Sequence, residues 1–251
     1  MRDGLRLALT TFTVFPLSSG RVDRSAARAA MILAPVVGAL LGLVVGLALL
    51  GLWLLHAPAL VLGGLAVGLG AALTRGLHLD GLADTADGLG SYTARPRALA
   101  IMRSPEVGPF GVVAIVLAVL IQAGAFAGIG GRPVLALLAS TVAGLASGRL
   151  AVTWACRRGM AAARPDGLGA LVVGTTRGLD LALGYLGVAA VALLAVPGRL
   201  WQGPVAVLAG LGATVLVHRH AVNRLGGTTG DVLGALVEIG QTVALVGLSL
   251  G

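Results

Sequence analysis

Between Arg28 and Arg75 the chain carries no Asp, Glu, Lys or Arg, and the intervening residues are almost all Leu, Val, Ala and Gly. One crossing of a hydrocarbon core takes ~20 apolar residues. The run is long enough for two, and His56, Ala57 and Pro58 interrupt it near its middle. It predicts a transmembrane helical hairpin. The rest of the chain agrees: 57% of its 251 residues are apolar and 11% are charged, more apolar surface than a globule of this length can enclose. A water-soluble enzyme is excluded, and lipid is the medium left to face the excess.

Further uncharged runs lie at 107–131, 181–198 and 200–218, with an apolar run at 133–155 interrupted only by Arg149 and a weaker one after Asp231 that contains Glu238. The expected architecture is all-α, a polytopic membrane helix bundle of about six or seven transmembrane helices. The stretch from Leu5 to Leu17 is too short to span and lacks a small-residue cleavage pattern, which predicts an uncleaved interfacial or re-entrant segment. No repeat or low-complexity linker divides the sequence, so 1–251 reads as a single integral-membrane domain.

All 18 basic residues are Arg, and 10 acids leave a net charge of +8. Such an excess often marks nucleic-acid binding, but no basic stripe interleaved with aromatic residues is present, so no nucleic-acid partner is expected. Membrane topology explains the arginines better. Following the spans in alternation puts every Arg except Arg132 and Arg199 on the face of the N-terminus, which the positive-inside rule makes cytoplasmic. The acids fall on the same side. The chain is therefore expected in the cell (plasma or inner) membrane, with its N-terminus and any active site cytoplasmic. The lone Cys156 rules out an internal disulfide and reads as a packing residue, and most of the 40 glycines read as close helix contacts.

The most informative segment is Arg75 to Gly90, RGLHLDGLADTADGLG. Asp80, Asp84 and Asp87 stand at i, i+4 and i+7, which on a helix gives them one face. Like charges so placed repel, and hard oxygen ligands grouped this way suit Mg²⁺ shared with phosphate oxygens. The bland alternative is a solvated helix start capped by Asp80. Gly81 and Gly88 border the acids where a backbone must approach a ligand or turn sharply. On a continuous helix His78 points away from the acids and is structural; it can be a base only if the helix begins after it.

A second cluster is Asn223 to Gln241, NRLGGTTGDVLGALVEIGQ. Gly227, Thr228 and Thr229 belong to a loop whose amides can cradle an anion at the start of the following helix. Asp231 and Glu238, seven apart, share a face of that helix, and an acid two turns into an apolar helix faces a polar interior. Its role is either pairing with an Arg or completing a metal or hydroxyl-orienting site. Arg97 and Arg103 are candidate phosphate contacts, against the plainer reading of topology anchors. Arg149, Arg157, Arg158 and Arg164 are weaker candidates, and His218 and His220 read as interfacial.

Clustered acids, a Gly and Thr loop and arginines on one side of a polytopic protein fit metal-assisted transfer of a phosphoryl-linked group from a nucleotide-activated donor to an alcohol. The rival is a cation- or proton-coupled transporter using the same acids. A purely structural membrane subunit leaves the grouped acids unexplained. The triad follows the charged Arg75 in a segment too exposed for a midplane ion site, which favours the enzyme.

GLHLDGLADTADGLG, the IMR and VGPFG pattern at Ile101 to Gly111, and GGTTGDVLGALVEIG resemble the three signature blocks of the cobalamin synthase family, the adenosylcobinamide-GDP ribazoletransferases, from about Leu9 onward. The resemblance implies adenosylcobinamide-GDP as donor and α-ribazole or its 5′-phosphate as acceptor. Attack of the ribose 3′-hydroxyl on the phosphorus next to the cobinamide arm then releases GMP and forms adenosylcobalamin or its 5′-phosphate, with Mg²⁺ required. It carries Asp80, Asp84, Asp87 and His78 over from the first block, and Asp231 and Glu238 from the last. The chain departs from the family pattern at Thr13-Val14-Phe15-Pro16, where a basic residue is usual, and at Ser104-Pro105-Glu106.

Overall fold

In the computed structural model, which describes residues 2–15, 17 and 20–250, eleven helices and no β-strand occur among the described residues. Pro16, part of the departing N-terminal motif, lies outside them. The helices are α1 (Arg2–Phe12), α2 (Arg24–Leu54), α3 (Ala59–Leu73), α4 (Leu77–Gly90), α5 (Arg95–Ile101), α6 (Pro109–Ile129), α7 (Val134–Ala155), α8 (Gly167–Val172), α9 (Gly178–Ala192), α10 (Gln202–Leu225) and α11 (Gly230–Ser249).

Five of these, α2, α6, α7, α10 and α11, are long and apolar enough to cross a membrane, and the pair α3 and α4 makes a sixth if counted as one broken span. With α4 outside the bilayer that leaves five, fewer than the six or seven expected from apolar runs. The end of the first apolar run and the run 181–198 account for the difference: α3 and α9 have only 15 residues each, α3 because it stops at the left-handed break at Arg75 and Gly76, and α9 because the helix gives way at Ala192 to turns containing Pro197 and Gly198. At 1.5 Å per residue that is ~22 Å, short of a ~30 Å hydrocarbon core.

The spans bury small residues and turn large ones outward. On α2 the side chains of Val36, Leu40, Val44 and Leu47 are exposed, as are Val113, Leu117 and Leu120 on α6. Water would make such a belt costly, whereas lipid makes it free. The opposite face of α2 carries Gly38, Gly42 and Gly46 against α7, where a Cβ on Gly42 would meet the Thr141 carbonyl oxygen at 2.5 Å. α7 is the central helix, buried over most of its length, and α1 lies along the start of α2 with Ala8 and Phe12 buried.

Two breaks place the site. Arg75 and Gly76 both adopt left-handed backbone (φ 56° and 66°), so α4 leaves α3 at 92° and is here counted outside the spans. After α7, residue 162 forms a parallel bridge with Thr228: the Thr228 amide donates to the Ala161 carbonyl at 2.9 Å, and the Ala163 amide donates to the Thr228 carbonyl at 3.0 Å. That bridge clamps the α7–α8 connection to the loop before α11.

Candidate active site

α4 packs on α11 where neither helix has a side chain. A Cβ on Gly81 would lie 2.7 Å from the Asp231 carbonyl oxygen, and one on Gly234 would lie 3.3 Å from the Gly81 Cα. Gly81 therefore serves a helix crossing rather than a ligand, as does Gly88, which abuts Met102. The crossing joins the two acidic segments. Asp80 and Asp231 line one cavity of about 280 Å³, together with the Thr228, Thr229 and Gly230 backbone loop, Arg103, Arg164 and Asp166. Phe12, Met31, Leu77, Val152 and Leu233 supply its apolar walls.

The triad on α4 divides. Asp80 is exposed and faces the cavity. Asp84 is half-buried, and its carboxyl is pushed up to about 6, first by burial and then by the charges of Asp80, Asp231 and Asp87. Asp87 is buried, and both its oxygens are spent: Oδ2 accepts from the Gly108 amide at 2.7 Å and Oδ1 from the Gly111 amide at 2.9 Å. These are amides at the start of α6, which otherwise lack partners. Of the three acids expected on one face, Asp80 reaches the cavity, where Asp231 of α11 meets it, and Asp84 stands close enough to feel both charges. Among the described residues no three His, Cys, Asp or Glu side chains are grouped to enclose a metal ion. Mg²⁺ needs only one or two carboxylates when phosphate oxygens and water complete its shell. The acids here, mutually repelling and offset by Arg164 3.6 Å from Asp231, suit that arrangement.

Glu238 points inward, as its cost in lipid requires, but it joins neither Asp231 nor the α4 acids. It sits among Gln122, Gln241 and Arg149 at the edge of a separate small cavity. His78 lies within α4, which begins at Leu77; it is buried, lines the same cavity as Asp80 and Asp231, and stacks on Phe12 with ring centroids 6.0 Å apart.

Arg103 reaches the cavity and pairs with Asp166 at 3.2 Å, an ion pair with both partners more than half exposed. Arg97 lines a neighbouring open groove instead, with Asp87, Ser104 and Glu106. Gly227 has no place in the cavity wall: a Cβ there would meet the Ala163 amide nitrogen at 2.5 Å, so it permits the bridge to the α7–α8 connection. Thr229 caps α11 by accepting from the Val232 amide at 3.1 Å. The Thr228 hydroxyl meets His218 Nε2 at 2.7 Å.

Three participants were undervalued by sequence reasoning. Arg164 is the cation paired with Asp231, and it also donates to the Leu99 carbonyl at 2.9 Å. His218 is buried beneath the Gly and Thr loop, edge-on to Trp154, rather than interfacial. Arg149 is wholly enclosed beside His78. Only Arg149 carried a readable signal, as a charge near the end of an otherwise apolar run.

The chain matches the family described as cobalamin-5-phosphate synthase over residues 4–249. It is 43% identical to a protein of Frankia casuarinae named adenosylcobinamide-GDP ribazoletransferase, covering 98% of this chain and 94% of that one. A Nocardioides protein of the same name is 41% identical over 98% of both, and one from Pseudomonas paraeruginosa is 38% identical over 86% of this chain and 84% of its own. No solved structure matches.

Proposed function

The chain belongs to the cobalamin-5-phosphate synthase family, and we propose from its geometry how it carries out the family's reaction. The activity is that of an adenosylcobinamide-GDP ribazoletransferase. The acceptor's ribose hydroxyl oxygen bonds to the phosphorus carrying the cobinamide arm, the bond from that phosphorus to the GMP oxygen breaks, and the hydroxyl proton is given up. The products are adenosylcobalamin, or its 5′-phosphate, and GMP.

The single observation that carries the siting is the convergence of Asp80 and Asp231, from helices about 150 residues apart in sequence, on one cavity that also holds Arg103, Arg164 and the loop amides. Asp80 and Asp231, which line the cavity, would hold Mg²⁺, with Asp84 adding its charge beside them; the ion when bound would screen the diphosphate and stabilise the leaving nucleotide. Arg103 and Arg164 supply forked donors for phosphate oxygens. The Asp231 helix start, freed of side chains at Gly230, presents amides to the same anion. The apolar walls fit the flat aromatic base of α-ribazole and exclude water from the transfer.

The distribution of arginines supports a cytoplasmic site in the cell membrane, with the bulk of the corrinoid outside the cavity. Two observations weigh against the transporter reading: Asp80 is exposed, and Glu238 is held by two glutamine amides. Incubating purified protein in detergent with adenosylcobinamide-GDP and α-ribazole, with Mg²⁺ or with chelator, tests the proposal. GMP and cobalamin should appear with the metal and not with the chelator; equal turnover in both would remove the metal from the account.

A further inference from the structure

A chain of buried hydrogen bonds runs from inside the bundle to the cavity wall. Glu238 Oε2 accepts from Gln122 Nε2 at 2.8 Å and from Gln241 Nε2 at 2.9 Å. With its nitrogen turned to that carboxylate, Gln241 offers Oε1 to the other side, where Arg149 Nη1 donates to it at 2.6 Å. The same guanidinium has Nη2 3.5 Å from His78 Nδ1. Glu238, Gln241, Arg149 and His78 are all buried, at 5%, 7%, 2% and 3% exposure. No part of this chain rests on solvent.

A guanidinium donates and cannot accept. His78 Nδ1 must therefore present its lone pair to Arg149, which leaves the ring hydrogen on Nε2. Nε2 has no hydrogen bond to any described residue, and the orphaned atoms fully shut off from solvent are Arg28 Nε, Thr85 Oγ1 and Arg149 Nε, with His78 Nε2 not among them. His78 lines the cavity of Asp80 and Asp231, and Nε2 is its ring nitrogen without a hydrogen bond to a described residue.

We propose that Arg149, braced by Gln241 and Glu238, is a positioning residue that fixes His78 as the Nε2–H tautomer, so that His78 donates a hydrogen bond to a phosphate oxygen of the substrate. His78 is then not the general base, because neither ring nitrogen offers a lone pair to the cavity. The proton of the attacking hydroxyl goes to a carboxylate or water. This assignment rests on reading the cavity as the substrate site.

The direct test is nitrogen NMR of ¹⁵N-histidine-labelled protein in nanodiscs, with the His78 signals identified by their loss in His78→Gln. The expected result is a protonated Nε2 and an unprotonated Nδ1, changing to a tautomer mixture in Arg149→Met. A protonated Nδ1 in the wild-type protein overturns the proposal without reference to activity. In turnover, His78→Gln, whose amide N–H₂ reaches the place of Nε2, should stay within about tenfold of wild type, whereas His78→Ala and His78→Asn should fall about a hundredfold, as when an oxyanion donor is removed. Equal loss in the Gln and Ala variants also overturns it. Wild-type protein that releases no GMP from the donor would instead defeat the functional reading, and the nitrogen spectrum would still decide the tautomer.

Discussion

Asp87 Oδ2 accepts a 2.7 Å hydrogen bond from the Gly108 amide, while its other oxygen takes the Gly111 amide at 2.9 Å. The last acid of the α4 face therefore anchors the start of α6. Asp87→Ala strands two amides at a buried helix terminus and should lower stability by on the order of 3 kcal/mol. Thermal unfolding in detergent checks it: Asp87→Ala should melt well below wild type, and Asp80→Ala should not.

Asp84 titrates near 6 because burial and the neighbouring acids disfavour its charge. Its folded value exceeds the ordinary 3.8, so between those two values the folded chain holds a proton that the unfolded chain has lost. Without a cation, stability should fall as pH rises through that window. A divalent cation favours the ionised form and reverses the penalty. Stabilisation by added Mg²⁺ should accordingly be larger at about pH 7 than at about pH 5. Melting curves at the two values test this, and Asp84→Asn should erase the difference.

Arg103 and Asp166 form an ion pair open to solvent on both sides, worth at most ~1 kcal/mol. The guanidinium is thus free to exchange its carboxylate for phosphate. Arg103→Ala should raise the donor KM about tenfold, the loss of ~1.4 kcal/mol, with unchanged melting. Arg97→Ala, directed to the neighbouring groove, should change the KM far less.

The His218 contact to Thr228 at 2.7 Å holds the loop that opens α11. His218→Ala should lower kcat/KM about tenfold or more through misplacement of the loop amides, and His218→Asn should recover part of it. Steady-state kinetics on the two variants, normalised to folded protein, decides the matter.

Much of this was legible in the chain itself. The i, i+4 spacing of Asp80 and Asp84 reads directly as one helix face, and the apolar runs at 107–131 and 133–155, the second broken only by Arg149, correspond to α6 and α7 nearly to the residue. Glu238 was readable as inward-facing because lipid penalises its alternative. Partners were not readable. Asp87 could be told from its neighbours only through amides 21 and 24 positions away, and Glu238 from a ligand only through Gln122, 116 positions away. Arg164 resembled every other arginine at a membrane edge until the bridge at residue 162 carried it to Asp231. The length of α9 was not readable, because absence of charge does not measure helix length.

The central claim is that the acids of α4 and α11 serve one reaction in one shared cavity. GMP release by Asp80→Asn and Asp231→Asn, each shape-conserving and each measured on protein with wild-type melting, tests it most directly. Both variants should turn over at least about a hundredfold more slowly. Near-normal release by either would contradict the account.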